Sequence, residues 1–151
     1  QFISTKAADS IFKKIRKDFN SEYLNEKHFQ KFTVNQIKKL GLSTNKAKTI
    51  KEISELYLNE NMNDLSKLTS HELNEKLMSV FGIGSWSVSM FEIFCIGRHN
   101  VFSSKDAALR LAMNKSEMIK PGNDFSEYEM YANLWSPYKT IASLHLWKTT
   151  D

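Results

Sequence analysis

The sequence predicts an all-α fold, a compact bundle of about eight or nine short helices. Apolar residues recur at spacings of three and four along most of the 151 residues, which is the period of a helix with one buried face. Only 2 prolines interrupt this pattern, and no segment has the character of a strand, a repeat or a linker. We therefore expect one helical domain over residues 1–151.

The N-terminal half is predicted to hold four helices. The first runs from about Thr5 to Phe19 along a continuous apolar stripe. Thr33 is suited to cap a second helix through Leu40, which Gly41 ends. The remaining two helices are predicted over residues 45–59 and near Asp64.

A capping box opens the C-terminal half, because Thr69 precedes Glu72 by three residues. The helix that starts there is expected to break at Gly82 and Gly84, and helical spacing then resumes until Gly97. The buried side of the helix that starts at Thr69 is predicted to contain Leu73, Leu77, Met78 and Val80.

Three further helices are predicted toward the C-terminus. The first follows "VFSSKD", the second begins at a capping box formed by Ser126 and Glu129, and the third follows Pro137. The first offers Leu109, Leu111 and Met113 for burial, and the third carries Ile141, Leu144, His145 and Leu146.

The composition excludes several classes of protein. A single cysteine, Cys95, rules out an internal disulfide framework and any multi-cysteine metal site, and it is predicted to be a small core residue. No apolar run approaches the roughly 20 residues that cross a bilayer, and the N-terminus has no signal-peptide layout. A cytoplasmic or nuclear protein is therefore expected.

A modest basic excess is compatible with a polyanionic partner. The formal net charge is +4 and the sequence pI is about 9.1. Lysines concentrate around "KKLGLSTNKAKTIK", although a solvated helix face explains each of them more simply. No P-loop, dinucleotide fingerprint or Ser/His/Asp arrangement is present in the sequence, so no organic cofactor is expected.

The segment "VFGIGSWSVSM" holds two of the 5 glycines, Gly82 and Gly84. Alternate glycines in a tight loop are typical of backbone angles that are open mainly to glycine. Where the next helix begins, its amide N–H groups and its dipole favour an anion such as phosphate. An ordinary helical turn without a ligand accounts for the same pattern about equally well.

Four segments together resemble one known family. "GIGSWSVSMFEIFCIGRHNVFSSKDAALR" is similar to the hairpin and catalytic loop of the helix-hairpin-helix DNA glycosylase superfamily. "QFISTKAADSIF", "LGLSTNKAKTIKEIS" and "LWSPYKTIASLHLWKT" resemble segments of its alkyladenine (3-methyladenine) branch, in the same order. The resemblance implies a monomeric, monofunctional glycosylase that hydrolyses the N-glycosidic bond of alkylated purines flipped from double-stranded DNA, in base excision repair. From the same resemblance we expect that N-terminal elements of the family are missing from this sequence.

The same resemblance implies the residues of the site. Asp106 takes the position of the catalytic aspartate, which stabilises positive charge on the deoxyribose as the base departs. Ser103 or Ser104 is suited to cap the helix that Asp106 enters. Trp86 stands where bifunctional members carry the lysine that forms a Schiff base, so no lyase step is expected. Trp86, Tyr138, Met90 and Trp135 are implied to line the base pocket, whereas Trp147 is assigned to the core.

Three sets of DNA-side contacts follow from the resemblance as well. Gln1 and Phe2 lie where the family has the wedge that fills the space left by a flipped base. Gly82, Gly84 and Ser85 are implied to bind a phosphate of the DNA. The backbone carbonyls of Met78, Val80 and Ile83 are implied to hold a monovalent cation, Na⁺ or K⁺.

Two other hypotheses compete with this enzyme. The first is a non-catalytic helix-hairpin-helix module that binds damaged DNA without processing it. The usual family loop has a proline before the aspartate, whereas this chain has Ser103, Ser104 and Lys105, which favours the module, while Asp106 favours the enzyme. The second is an oxidised-guanine glycosylase with lyase activity, which Trp86 disfavours.

Overall fold

The computed structural model describes residues 5–59 and 65–150. All regular secondary structure in these two ranges is helical, which confirms the predicted all-α class. Short 3₁₀ turns cover Leu65–Lys67 and Asn133–Trp135, and a single π-helical turn covers Glu92–Ile96. The α-helices are α1 (Thr5–Asp18), α2 (Glu26–Gln30), α3 (Val34–Lys39), α4 (Thr44–Asn59), α5 (Ser70–Met78), α6 (Ser85–Phe91), α7 (Ala107–Lys115), α8 (Phe125–Ala132) and α9 (Lys139–Lys148).

The chain forms two compact units. The first contains α1 to α4 together with residues 79–83, and the second contains α5 to α9. One domain over residues 1–151 therefore stays a prediction. None of the described helices is both long and apolar enough to span a membrane.

The first unit has a small apolar core of its own. Phe19 closes one side of it with edge-on ring contacts to Phe29 and Phe32, each with centroids 5.1 Å apart. Interlocked rings of this kind are favourable beyond the area that they bury. The buried residues of this core are Ile15, Phe29, Ile37, Leu40 and Ala47.

The local signals in the first unit are largely confirmed. The predicted bounds of α1 and α4 agree with the structure to within one residue. Thr33 caps α3, since its hydroxyl oxygen accepts the N–H of Gln36 at 3.3 Å, and Gly41 follows with a φ of +101°. Helix α2, which Asn25 caps, was not predicted, and the helix near Asp64 lies outside the described residues.

The capping box that opens the second unit is confirmed. The Glu72 carboxylate accepts the backbone N–H of Thr69 at 2.7 Å, and the Thr69 hydroxyl accepts the N–H of Glu72 at 3.3 Å. The backbone N–H and the hydroxyl of Thr69 both donate to the Glu72 carboxylate, and these two hydrogen bonds hold the pKa of that carboxyl below its usual value. Of the predicted buried side, Leu73, Leu77 and Val80 are buried, but Met78 is 47% exposed.

The core of the second unit lies among α7, α8 and α9. Its buried residues are Phe102, Leu109, Ala112, Met113, Ile119, Tyr128, Ala132 and Leu146. The predicted last helix is confirmed as α9; of the four residues named on it, Leu146 is buried and Ile141, Leu144 and His145 are exposed. Leu111 on α7 is also exposed, since it lies on the face opposite Leu109 and Met113.

Two further predictions were wrong for identifiable reasons. Helix α8 begins after Asp124 rather than at Ser126, and Glu129 is bonded to the backbone of Ser104 instead of closing a capping box. Cys95 is exposed rather than buried. It lies in the π-helical turn, where the Gly97 N–H donates to the Glu92 carbonyl five residues earlier, so the 3.6-residue period used for the prediction does not apply.

Candidate active site

In the loop that connects α5 to α6, Gly82 has a backbone conformation that favours glycine. We call residues 79–83 the connecting loop. Gly82 has a φ of +79°, and a Cβ at this position would lie 2.5 Å from the hydroxyl oxygen of Thr49 on α4. The Phe81 N–H donates to the Glu52 carboxylate, also on α4, at 2.9 Å. Within the first unit, α4 thus leaves no room for a Cβ at position 82 and holds the loop by a hydrogen bond.

Gly84 differs from Gly82, and the prediction that grouped the two was wrong. Its φ of −113° and ψ of 172° are extended backbone that any residue adopts, and no atom lies within 4 Å of the point that a Cβ would occupy. Gly84 is the N-cap of α6, and Ser85 is the first residue of that helix. The phosphate contacts predicted for Gly82, Gly84 and Ser85 stay predictions.

One of the carbonyls predicted to hold a cation, that of Val80, already accepts a backbone hydrogen bond. The Val80 carbonyl accepts the N–H of Ile83 at 3.2 Å. A carbonyl oxygen has two lone pairs, so this hydrogen bond leaves Val80 able to bind an ion. The cation at Met78, Val80 and Ile83 stays a prediction.

Asp106 is a buried carboxylate with three N–H donors. Its side chain caps α7, where Oδ1 accepts the N–H of Leu109 at 2.9 Å. The indole Nε1 of Trp86 donates to Oδ2 at 2.7 Å, and that of Trp147 donates to Oδ1 at 3.2 Å. Asp106 therefore supplies the N-cap itself, and the expectation that Ser103 or Ser104 does so was wrong.

The two tryptophans reach Asp106 from different helices. Trp86 lies in the first turn of α6 and Trp147 near the end of α9, and both are half-buried. The ring of Trp147 stacks on Phe94, with centroids 5.8 Å apart and an interplanar angle of 27°. Trp147 was assigned to the core, which it does contact, but its indole N–H belongs to the site. Nothing local in the sequence separates these two roles, because an aromatic residue on an amphipathic helix satisfies both.

The other predicted pocket residues have less direct positions. Met90 is half-buried on α6, one turn after Trp86. Trp135 packs edge-on against Phe102 at 5.8 Å and Tyr131 at 5.6 Å, at the edge of the core. Tyr138 is 59% exposed just before α9. Among the described residues, the donors to the Asp106 side chain are Leu109, Trp86 and Trp147. Met90, Trp135 and Tyr138 are therefore not bonded to it. Gln1 and Phe2 lie outside the described residues.

The arrangement around Asp106 suits a carboxylate that stabilises a positive charge developing beside it. A carboxylate has about four lone-pair positions, and the three N–H donors leave about one of them for a reacting group. The ion pairs found among the described residues do not include Asp106. Its negative charge is thus held by neutral donors and stays available to a cation that develops beside it.

Comparison with known proteins decides the family. Residues 1–138 match the HhH-GPD superfamily of base excision DNA repair proteins. The chain belongs to this superfamily. The match confirms the helix-hairpin-helix family that four segments of the sequence indicated.

Relatives of this HhH-GPD protein carry names of the alkyl-purine branch. The alkylbase DNA glycosidase-like protein mag2 of Schizosaccharomyces pombe is 26% identical over 153 residues, which cover 98% of this chain and 72% of the relative. DNA-3-methyladenine glycosylase 1 of the same yeast is 25% identical, and the match covers 99% of this chain and 68% of that relative. The fold matches that of the S. pombe 3-methyladenine DNA glycosylase Mag1, solved in complex with abasic DNA, with a TM-score of 0.88 at 24% identity over 99% of this chain and 74% of that one.

Proposed function

We propose that this HhH-GPD protein is a monofunctional DNA glycosylase that hydrolyses the N-glycosidic bond of alkylated purines, of the 3-methyladenine type, in double-stranded DNA. The observation that carries this proposal is the buried Asp106 carboxylate held between two indole N–H groups. The names of the curated relatives support the same reaction. Base excision from DNA would place the protein in a bacterial cytoplasm or a eukaryotic nucleus.

Asp106 would act on the sugar rather than on the base. As the bond between C1′ and the purine nitrogen breaks, its electron pair leaves with the base and positive charge develops on the deoxyribose. A carboxylate nearby stabilises this charge and can accept a proton from the water whose oxygen then bonds to C1′. No amine of the protein is needed, which agrees with Trp86 standing in place of a Schiff-base lysine.

The aromatic side chains would select the substrate. Alkylation at a ring nitrogen gives the purine a positive charge, and the faces of aromatic rings attract cations. Trp86 presents its edge to Asp106, so an extruded base could stack on its face. Met90, Trp135 and Tyr138 remain predicted members of this pocket, and Gln1 and Phe2 remain the predicted wedge.

An excision assay tests the proposal directly. Duplex DNA treated with a methylating agent is incubated with the protein, and free bases are separated by chromatography. We expect release of methylated purines, no release from untreated DNA, and no covalent adduct after borohydride reduction. Binding of methylated DNA without release of any base would reject the glycosylase and support the non-catalytic helix-hairpin-helix module. A borohydride-trapped adduct would indicate a lyase instead.

A further inference from the structure

The backbone of Ser104, which we call the Ser104 peptide, is held at its N–H and at its carbonyl by two charged side chains. Its N–H donates to the Glu129 carboxylate at 2.8 Å. Its carbonyl oxygen accepts a hydrogen bond from the Arg110 guanidinium at 2.5 Å. Ser104 is buried and lies two residues before Asp106. Both hydrogen bonds involve an ionised partner, and such bonds are about twice as strong as neutral ones.

The two side chains come from different helices. Arg110 lies in the first turn of α7, and Glu129 lies on α8, 25 residues beyond Ser104. The Arg110 guanidinium lies 4.8 Å from the ring centroid of Phe125, at the start of α8. This contact gives the guanidinium a second partner on α8, so both sides of the clamp are tied to the helices that form the core.

The loop before Asp106 is also closed internally. We call residues 103–106 the aspartate loop. The N–H of Asp106 donates to the Ser103 carbonyl at 3.0 Å, which closes a turn around Ser104 and Lys105. The sequence has no proline in this loop to restrict its backbone angles. Fixing the Ser104 peptide therefore falls to hydrogen bonds, and a shift of this peptide is transmitted through the turn to the Asp106 backbone.

We propose that Glu129 and Arg110 are positioning residues that clamp the Ser104 peptide and thereby hold the Asp106 carboxylate between Trp86 and Trp147. The inference rests on the proposed role of Asp106 as the charge-stabilising group. A displacement of about 1 Å at a reacting group can cost on the order of 100-fold in rate. Glu129 and Arg110 act on the reaction only through the aspartate loop.

The test uses a pair of variants at Glu129. Glu129→Ala removes the acceptor, whereas Glu129→Gln keeps an oxygen that accepts the Ser104 N–H. Single-turnover excision rates at saturating protein are measured apart from the Kd for methylated duplex DNA. We expect Glu129→Ala to lower the rate about 10- to 100-fold and to leave Kd within about twofold, because the fault lies in orientation and not in binding. Glu129→Gln is expected to restore most of the rate.

Glu127 provides the matched control on the same helix. It is exposed, and its carboxylate bonds to the side chain of Asn123 rather than to the aspartate loop. Glu127→Ala is expected to leave both the rate and Kd unchanged. Arg110→Ala is expected to lower the rate as Glu129→Ala does, and the double variant to lose little more than either, because both side chains hold the backbone of one residue, Ser104.

Hydrogen exchange of the Ser104 amide separates failure of the clamp from failure of the proposed function. The clamp predicts slow exchange in the parent protein, faster exchange in Glu129→Ala and no change in Glu127→Ala. Unchanged Ser104 exchange or an unchanged rate in a folded Glu129→Ala variant would overturn the clamp. If the parent protein releases no base while Ser104 exchange accelerates as expected, the restraint on the loop stands and the glycosylase assignment fails. Should Glu129→Ala not fold, Arg110→Ala supplies the same test from the carbonyl side of Ser104, and an unchanged rate in a folded Arg110→Ala variant would overturn the clamp.

Discussion

The connecting loop and the aspartate loop are both short segments ahead of a helix, but they are fixed by different means. In the connecting loop, a glycine with positive φ sits so close to Thr49 that no side chain fits. In the aspartate loop, the restraints are hydrogen bonds with two side chains: the Glu129 carboxylate, 25 residues from Ser104, accepts one, and the Arg110 guanidinium, 6 residues away, donates the other. The connecting loop also bonds to a distant side chain, that of Glu52, but its glycine is a local signal visible in the sequence, whereas the aspartate loop carries no such signal.

The largest effect is expected at the end of the aspartate loop. Asp106→Asn keeps an N-cap for α7, because Asn caps helices as well as Asp does. It removes the negative charge and turns an NH₂ group toward an indole N–H that needs an acceptor. We expect excision to fall by at least about 100-fold, measured in single turnover, with little change in Tm. Release of methylated base at the parental rate would refute the role of Asp106.

The two indoles offer a graded test of the same carboxylate. Trp86→Phe and Trp147→Phe each keep an aromatic ring and remove one N–H donor. A hydrogen bond to a charged group contributes about 1.5–3 kcal/mol, so a loss of excision rate of at least about tenfold is expected for Trp86, whose bond is 2.7 Å. Trp147 donates at 3.2 Å, so Trp147→Phe should lower the excision rate less than Trp86→Phe does. A larger loss at Trp147 than at Trp86 would reverse the order that we infer from these distances.

The connecting loop is tested through Gly82, with Gly84 just after it as the comparison. Gly82→Ala puts a side chain at positive φ against Thr49, and we expect it to lower the free energy of unfolding by about 1–3 kcal/mol. Gly84→Ala has extended backbone and open space, and it should cost less than about 1 kcal/mol. Urea denaturation compares the two, and DNA affinity measured on the folded variants shows whether the loop contributes to binding. Equal destabilisation would mean that backbone angle is not what fixes the connecting loop.

The smallest effect is expected at the capping box of α5, the helix that leads into the connecting loop. The folded protein lowers the pKa of Glu72 through its hydrogen bonds with Thr69. The ionised form is therefore favoured by folding, so its contribution to stability is present above the unfolded pKa and is lost as pH falls through the folded pKa. Glu72→Gln keeps the box without the charge. Its Tm deficit relative to the parent protein should shrink as pH is lowered through the acidic range, and a constant deficit would exclude this linkage.

Local signals in the sequence allowed several helices and caps to be predicted, although the cap at Asn25 was missed and the capping box at Ser126 was wrong. Thr33, Gly41 and Thr69 end or begin helices through hydrogen bonds and backbone angles set within a few residues. Asp106 and Trp86 were predicted through resemblance to a family, and the structure brings their side chains together. Their roles in the reaction stay predictions.

The rest depended on contacts between residues far apart in the chain. Glu129 was predicted to close a capping box with Ser126, and only the packing of α8 decides that it bonds to Ser104 instead. Trp147 was assigned to the core, and its ring does contact the core, but its indole N–H bonds to Asp106. Gly84 matched Gly82 in pattern, but the angles of a helix N-cap are extended and do not require glycine.

The π-helical turn at Glu92–Ile96 makes the site sensitive to chain length as well as to residue type. Its extra residue sets the direction in which Phe94 projects, and Phe94 stacks on Trp147. Deleting one residue from this turn would restore an ordinary helix and rotate the residues after it by about 100°. Point substitutions at the exposed Cys95 leave that geometry in place. Insertions and deletions between Glu92 and Ile96 should therefore be tolerated far less well than side-chain changes at Cys95.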